Sequence, residues 1–439
     1  MKLKKKLLRA IFLVLIYAPK INAQETIEKL QSWTSYSQSF DCSDKVGYEF
    51  RVSAAIRIQK VKINSNASIW VRVDKKDGKT GFFQNNVNLI NPTNEWKVFE
   101  IKGIIDANAS RLNIGAYCGN SGDYYFDDFK IEIKSSKGKW ETVSISNSGF
   151  EENTSKEELW KNGNGRNKIV SVKNFSTEYS SENPYKGNKC LHINAKNIVG
   201  SSEIGKFVEV NGVNLYYEVY GEGEPLLMIH GNGNSMSGFI GNVEDLSKHY
   251  KVILIDCRGR GESTYNPGVE LTFELQIDDL VKFLDKVNIK KTSIIGWSDG
   301  GILGLLMAIK HPERVDKLVS MAANIFPSGI VDSNFKEMLE IKEKLVVENV
   351  NKINDLWIDL CNLDIKYPNL EYKDLNVIKS KTLIMAGDKD DIKNDHTVKI
   401  YEAIPNSQLA IVPNSTHWLP QNNPKLFNQI VLRFLNDTF

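Results

Sequence analysis

The stretch Ser293-Ile294-Ile295-Gly296-Trp297-Ser298-Asp299-Gly300-Gly301 decides the fold of the second half of the chain. Its centre has the pattern Gly-x-Ser-x-Gly, and an apolar run leads into it. A helical pattern of apolar residues follows, at Ile302, Leu303, Leu305, Leu306, Ala308 and Ile309. Ser298 is therefore predicted to lie on a sharp turn from a buried strand into a helix, a nucleophile elbow. The flanking glycines fit this prediction, because a Cβ atom beside such strained backbone would clash with its neighbours.

Apolar strand-like runs alternate with helical patterns on both sides of this turn. The predicted strands are Leu226 to Ile229, Val252 to Ile255, Thr292 to Ile295, Lys317 to Met321, Thr382 to Met385 and Gln408 to Val412. Such alternation predicts a mostly parallel sheet that is covered by helices on both faces. The Asn211-Gly212 pair between two apolar runs predicts a hairpin at the start of this region.

Residues 205–439 resemble the α/β-hydrolase superfamily in five short motifs. The motifs are Leu226 to Gly233, Ile255 to Gly261, Gly296 to Gly301, Gly387 to Asp390 and Thr416 to Trp418. The form Gly-Trp-Ser-Asp-Gly-Gly is similar to that of valacyclovir-hydrolase-like esterases, whose relatives include lactonases and carbon–carbon bond hydrolases. The resemblance covers about half of the chain, and it implies an α/β-hydrolase fold with a small cap at about 324–379.

A serine hydroxyl is a weak nucleophile, so Ser298 needs a base within hydrogen-bond reach and the base needs an orienting carboxylate. His417 lies just after the last predicted strand and matches the family's histidine loop. The carboxylates near the end of the preceding strand are those of Asp388, Asp390, Asp391 and Asp395. The family pattern selects Asp390 and leaves Asp388 as a turn residue. The chain order Ser, Asp, His agrees with this fold.

Two backbone N–H groups are expected to stabilise the oxyanion that forms when a carbonyl is attacked. The resemblance assigns them to Asn232 and Asp299, and neither contribution depends on the side chain. Trp297 and Asp299, on either side of the serine, are the predicted substrate-binding residues. The Asp299 carboxylate has two open interpretations: it faces the pocket and attracts a cationic group such as an amine, or it caps the helix or pairs with a cation.

The first half of the chain has no helical periodicity. Alternation from Tyr48 to Gln59 predicts a long half-buried strand, and five further strand-like runs follow at regular spacing. Residues 24–135 are therefore predicted to form an all-β sandwich. Residues 136–204, rich in Ser, Asn, Gly, Lys and Glu, are predicted to be a linker or a partial second β module.

The segment Tyr124 to Phe129 resembles the last strand of jelly-roll carbohydrate-binding domains. The aromatic residues that could stack on sugar rings are Trp33, Trp70, Tyr117, Tyr124 and Tyr125. Asp127 or Asp128 could ligate a structural calcium ion through hard oxygen atoms. The alternative is that the aromatic residues belong to the core of the sandwich and the acids to a turn.

The N-terminus has the features of a secretory signal peptide at 1–23, because basic residues precede the apolar run from Ala10 to Ala18. We therefore expect a secreted or periplasmic protein with no transmembrane segment after cleavage. A net charge of +2 gives no indication of a nucleic-acid partner. Among the five cysteines, Cys42 and Cys118 could form a disulfide, or all five could be small buried apolar residues.

These features together predict a serine hydrolase that cleaves carboxylic esters through an acyl-enzyme. The alternatives are a lactonase or carbon–carbon bond hydrolase of the same fold, or a non-catalytic surface protein that binds carbohydrate. The three residues Ser298, Asp390 and His417 favour an enzyme over a binding protein. We predict no metal and no cofactor, because the sequence holds no metal-ligand cluster or phosphate-binding loop. A polysaccharide is a candidate partner of the N-terminal region.

Overall fold

The computed structural model describes residues 32–59, 65–85, 94–134, 138–152, 160–163, 172–352 and 354–438. The predicted signal peptide at 1–23 lies outside these residues. Within the described ranges, no helix is both long and apolar enough to span a bilayer. Every cysteine in these ranges is a free thiol, so the Cys42–Cys118 bridge, one of the two alternatives, is not formed. Burial instead raises the pKa of Cys42 to about 11, as expected for a thiol in an apolar core.

The N-terminal part consists of two antiparallel sheets. The strands are β1 Trp33–Asp41, β2 Glu49–Gln59, β3 Asn66–Lys75, β4 Thr80–Asn85, β5 Lys97–Ile104, β6 Ala109–Gly119, β7 Gly122–Lys134, β8 Trp140–Val143, β9 Lys161–Asn162, β10 Phe175–Ser180 and β11 Cys190–Ala195. One sheet has the order β4-β3-β6-β1-β9, and the other has the order β10-β11-β7-β2-β5 with β8 against β7. Apolar side chains of both sheets, such as Ile69, Ile114, Phe126 and Ile193, meet in one buried cluster.

The segment 136–204 contributes strands to these same two sheets. Strand β9 pairs with β1, and β11 pairs with β7 in antiparallel register. This arrangement differs from the predicted linker or partial second module. Strand β11 joins the existing sheet because it satisfies the backbone hydrogen-bonding groups along an edge of β7 that would otherwise be open. The strands β8–β11 are thus additions to the first two sheets.

Most of the aromatic residues that could have stacked on sugar rings are buried. Trp70, Tyr124 and Tyr125 are buried, so the prediction of sugar stacking is wrong for these three. Trp33 and Tyr117 stack on each other with ring centroids 5.8 Å apart. Tyr124 belongs to the core between the two sheets, whereas the Tyr125 ring lies on the opposite side of β7 and is covered by the Arg57 guanidinium.

The two acids of the same strand are occupied by donors of the protein itself. Asp127 is fully buried and accepts the backbone N–H groups of Asp128 at 2.7 Å and Lys186 at 2.9 Å. The Asp128 carboxylate pairs with the ammonium groups of Lys130 and Lys186, each at 3.2 Å. Both acids lie within β7 rather than at a turn, and their partners are groups of the protein itself. The described residues contain no group of three or more acidic, histidine or cysteine side chains arranged around a metal site.

The C-terminal part is an eight-stranded sheet with helices on both faces. Its strands are β12 Lys206–Val210, β13 Val213–Tyr220, β14 Pro225–Ile229, β15 Lys251–Ile255, β16 Thr292–Trp297, β17 Val315–Met321, β18 Lys381–Lys389 and β19 Ser407–Thr416. Its helices are α1 Val243–Leu246, α2 Phe273–Lys286, α3 Asp299–Lys310, α4 Asp332–Val347, α5 Asp355–Lys366, α6 Asn394–Ala403, α7 Leu419–Asn422 and α8 Pro424–Leu435. The strand order is β12-β13-β15-β14-β16-β17-β18-β19, and every pair from β15 to β19 is parallel.

Alternate residues of the central strands enter two separate cores. Leu227 and Ile294 pack with α2 and α3 on one face, whereas Met228 and Ile295 pack with α8 on the other. Because both faces of these strands are covered, successive residues are all apolar, and the strands appear in the sequence as continuous apolar runs. Helices α4 and α5 lie between β17 and β18, in the segment predicted to be the cap.

The two parts of the chain are joined by a buried carboxylate, that of Glu218 on β13. It accepts the backbone N–H groups of Gly200 at 3.0 Å and Ser202 at 2.8 Å. The hydroxyl groups of Tyr216 and Tyr220 donate to it at 2.7 and 2.6 Å. We call this set, together with the segment 198–202, the junction clamp.

The junction clamp also reaches the first sheets. The backbone N–H of Ser121, in the turn before β7, donates to the Ser201 hydroxyl at 2.8 Å. Gly200 has a φ of +90°, and a Cβ atom there would lie 3.2 Å from the Cβ of Ser237. Glycine at position 200 therefore allows the backbone of the segment 198–202 to approach Ser237 of the C-terminal part closely.

We predict that Glu218→Ala lowers the free energy of unfolding by about 3 kcal/mol, because it leaves several buried donors without an acceptor. Chemical denaturation monitored by tryptophan fluorescence measures this change. Glu222→Ala, at an exposed position shortly after β13, is the matched control and should have no measurable effect. Equal stability of the two variants would contradict the role of the clamp.

Candidate active site

Ser298 stands at the end of β16 in strained backbone, with φ of +57° and ψ of −117°. Its backbone N–H donates to Met321 O at 2.8 Å, which fixes the turn against β17. A Cβ atom on Gly296 would lie 2.0 Å from Gly300 O, and one on Gly300 would lie 2.0 Å from Ile229 O. Both glycines are therefore required by close backbone packing, as the sequence pattern indicated. The turn exposes the serine at the carboxyl ends of the parallel strands.

His417 and Asp390 are in direct contact beside this turn. His417 follows β19, Asp390 follows β18, and the two strands are parallel neighbours. The Asp390 Oδ1 atom lies 2.8 Å from Nδ1 of His417. The Asp390 side chain is completely buried, and its oxygens also accept backbone N–H groups of Gly387 and Ile392. The carboxylate is thus held rigidly and can orient the imidazole ring.

The other three local carboxylates have different partners. The backbone N–H groups of Asn414 and Ser415 lower the pKa of Asp388, and the Ser415 hydrogen bond of 3.0 Å ties the histidine loop to β18. Asp391 accepts a hydrogen bond from the Asn334 amide of the cap at 2.8 Å. Asp395 is exposed and pairs with Lys399 within helix α6. Among the four candidates, the described contacts join only Asp390 to His417.

Two opposing effects act on the pKa of His417. Burial disfavours the charged ring, but the hydrogen bond and the negative charge of Asp390 favour it, and the net result is a raised pKa. An imidazole that is both oriented and made more basic is suited to accept a proton from a hydroxyl group.

The loop after β14 lies against the nucleophile elbow. A Cβ atom on Gly231 would lie 3.0 Å from Cβ of Ser298, so glycine allows this close approach. Asn232 follows on the loop, and Asp299 is the first residue of α3, where backbone N–H groups have no partner within the helix. Both residues are thus placed at the ends of the elements that flank Ser298.

The Asn232 side chain has a role that the sequence did not indicate. Its amide donates to Leu360 O at 2.9 Å and to the Asp364 carboxyl group at 2.6 Å, both on cap helix α5. The side chain therefore fastens the cap to the loop that carries the predicted oxyanion donor. Only the position of Asp364 in the fold reveals this contact, because the two residues are far apart in the chain.

The Asp299 carboxylate is buried, with 2% of the residue exposed, and does not face an open pocket. It forms a hydrogen bond with the Asp364 carboxyl group, and burial raises the pKa of both acids. Two buried carboxyl groups in contact share one proton, since like charges at this distance cannot both persist. The Arg260 guanidinium lies 3.8 Å from Asp299 and balances the remaining negative charge. The interpretation in which Asp299 pairs with a nearby cation is therefore the one that fits.

The Trp297 side chain is also buried, with 1% exposed, so the prediction that it contacts substrate is corrected. Its indole N–H donates to the backbone oxygen of His417 at 2.8 Å. Its ring packs edge-on against those of Phe239 and Trp418. Trp297 thus supports the histidine loop from beneath the site.

The comparisons with known proteins agree with this architecture. A family model described as alpha/beta hydrolase fold matches residues 224–351. The C-terminal part has the α/β-hydrolase fold. The mouse protein named serine hydrolase BPHL is 28% identical over 256 residues, which are 54% of this chain and 88% of the mouse protein. A Pseudomonas putida protein named 2-hydroxy-6-oxononadienedioate/2-hydroxy-6-oxononatrienedioate hydrolase 1 is 27% identical over 282 residues, covering 54% of this chain and 98% of that protein.

Similar solved structures include the enol-lactonase from Burkholderia xenovorans LB400. It is 21% identical, has a TM-score of 0.45, and covers 53% of this chain and all (100%) of the other. The curated relatives are named hydrolases, and the prediction that this protein is an enzyme of the hydrolase class is confirmed.

We predict that kcat/KM for an ester rises with pH as His417 loses its proton, because only the neutral ring accepts one. Since Asp390 raises the pKa of His417, half-maximal kcat/KM should lie above the ordinary histidine value of about 6.5. Asp390→Asn removes the negative charge, so the midpoint should move to lower pH and the plateau should fall by orders of magnitude. A pH profile of both enzymes measures this. Asp388→Asn is the control, and a shift of the midpoint in that variant alone would reassign the carboxylate.

Proposed function

We propose that the protein cleaves carboxylic esters with Ser298 as nucleophile, His417 as general base and Asp390 as the group that orients it. The observation that carries the proposal is the Asp390–His417 hydrogen bond of 2.8 Å beside a serine in strained backbone. A strained elbow is retained where it exposes a reactive group. The backbone N–H groups of Asn232 and Asp299 are the proposed donors to the oxyanion.

The reaction begins when Oγ of Ser298 attacks the ester carbonyl and its proton passes to Nε2 of His417. The carbonyl oxygen becomes an oxyanion, and the two N–H groups stabilise it. The tetrahedral intermediate then expels the alcohol, which takes the proton from His417, and an acyl-enzyme remains. A water molecule, deprotonated by His417, releases the acid and restores the serine. Asp390 stabilises the imidazolium in both halves of the reaction.

Cleavage of a carbon–carbon bond is the second candidate, because several relatives are named for 2-hydroxy-6-oxo acids. Lactone opening would use the same groups. A panel that contains an aryl acetate, a simple lactone and a 2-hydroxy-6-oxo-dienoate distinguishes the three. If the protein is an esterase, kcat/KM should be highest for the aryl acetate. A higher kcat/KM for the lactone or for the dienoate would replace ester cleavage by lactone opening or by carbon–carbon cleavage.

We also propose that the protein is exported, on the basis of the N-terminal sequence alone. The proposed cleavage follows Ala23, so the mature chain would begin at Gln24. N-terminal sequencing of the protein recovered from its native host tests this proposal.

Ser298→Ala should lower kcat for an aryl ester by several orders of magnitude, because no other hydroxyl occupies the elbow. The variant should keep the melting temperature of the wild type and lose labelling by a fluorophosphonate probe. Ser333→Ala, on the exposed surface of the cap, is the matched control. Labelling that persists in Ser298→Ala would show a different nucleophile.

We predict that the enzyme has no preference for a cationic acyl group, because the charges of Asp299, Asp364 and Arg260 balance one another. The test compares kcat/KM for an amino-acid ester with that for its desamino analogue. The ratio should be near one in the wild type and unchanged in Asp299→Asn, which keeps the backbone N–H. A strong preference for the amine that collapses in this variant would show that Asp299 binds the substrate.

A further inference from the structure

A cavity of about 410 Å³ opens where the first sheets meet the cap and the loops beside the nucleophile. Its volume is within the range of small-molecule sites, roughly 300–1,000 Å³. Three elements line it: the turns of the first sheets, the loops after β14 and β15, and the cap helix α5. The lining residues from these elements include Asn66 and Asn120, Asn234 and Ser235, and Trp357. We call this cavity the junction pocket.

The junction pocket continues directly from the proposed oxyanion loop. Gly233, the residue after Asn232, is part of its wall. The ring of Trp357 lies 3.3 Å from the position a Cβ atom would take on Gly233, so the indole covers this part of the loop. Strand β14, which leads into the loop, is hydrogen-bonded to β16, which leads into Ser298. The pocket therefore lies beside the loop that carries the proposed oxyanion donor, one residue along the chain from Asn232.

The walls of the pocket are held in place by buried contacts. The Asp256 carboxylate accepts the N–H of Met236 at 2.7 Å and that of Glu262 at 2.9 Å, so it ties the two loops together. Gly200 of the junction clamp is itself part of the wall. The first sheets are thus fixed as one side of a preformed site, which reduces the ordering cost of binding.

The chemistry of the lining favours a neutral ligand with several hydroxyl groups. Amide side chains both donate and accept hydrogen bonds, and serine hydroxyls do the same. Among the described residues that line the pocket, Arg260 alone is charged. Its guanidinium donates to Gln276 at 2.6 Å and to Arg258 O at 2.8 Å, close to Asp299. Trp357 is 49% exposed and offers an apolar aromatic face beside these polar groups. An aromatic face with amides around it suits a sugar ring, which has apolar C–H faces and polar edges.

We propose that the junction pocket binds the sugar ring of a carbohydrate ester whose acyl carbonyl lies at Ser298. The inference rests on the proposed ester hydrolysis and adds the class of alcohol. It assigns residues of the first sheets, Asn120 above all, to substrate binding. The sugar would be the leaving alcohol of that ester.

The experiment compares two substrates in the full-length protein: acetylated methyl glycosides of common hexoses and pentoses, and 4-nitrophenyl acetate. The variants are Asn120→Gly and Trp357→Ala, one from each side of the pocket. Asn120 has a φ of +63°, so glycine keeps the backbone and removes only the amide. Asn108→Gly is the matched control, because its φ is +61° in another turn of the same sheets.

We expect the wild type to favour at least one sugar acetate over the aryl acetate in KM. In both pocket variants, the ratio of kcat/KM for sugar acetate to kcat/KM for aryl acetate should fall about tenfold, mainly through KM. The control should keep the wild-type ratio, and thermal melting verifies that each variant is folded.

Two failures are distinguishable. If the wild type cleaves the aryl acetate and the ratio is unchanged in both folded pocket variants, the sugar site is overturned and ester hydrolysis stands. If the wild type cleaves neither ester and takes up no fluorophosphonate, ester hydrolysis itself is overturned, and the sugar-ester inference with it.

Discussion

The close packing of backbone at the nucleophile elbow is the constraint on which the rest of the C-terminal part depends. Ser298 keeps a φ of +57° only because β14, β16 and α3 approach within the space that glycine leaves. The carbonyl of Ile229 would be 2.0 Å from a Cβ atom on Gly300, so the helix cannot begin there with any other residue. The same approach brings the loop after β14 beside the serine. The same close packing thus exposes the Ser298 hydroxyl and places the loop after β14 beside it.

Much of this could be predicted because it is encoded in local patterns. The predicted parallel strands differ from those of the structure by a few residues at their ends. The strand ends located a group of four carboxylates and the loop of His417, and the family resemblance selected Asp390 from that group. The roles of Trp297 and Asp299 could not be predicted from their neighbours in sequence. Their partners, His417 O and the Asp364 carboxyl group, come from segments far along the chain. A buried acid pair leaves no periodic signal, so only the fold reveals it.

The N-terminal region was harder to predict for a related physical reason. Alternation identifies a strand but not the sheet it joins, and β9 to β11 complete sheets that begin more than a hundred residues earlier. The aromatic residues near the start of β7 looked suited to a ligand because they are large and amphipathic, yet they are buried by other parts of the protein. The junction clamp could not be predicted either, because in the sequence Glu218 resembles an ordinary polar residue of a half-exposed strand.

The strand order of the first sheets has a consequence for how the protein folds as it is synthesised. Strand β7 lacks its neighbour β11 until Cys190–Ala195 has left the ribosome, so part of its edge stays open while residues 135–195 emerge. The clamp segment 198–202 follows within a few residues of that strand. The segment 198–202 is therefore in place just before β12 and β13 appear. The nascent C-terminal sheet then begins to grow on a surface that has already formed.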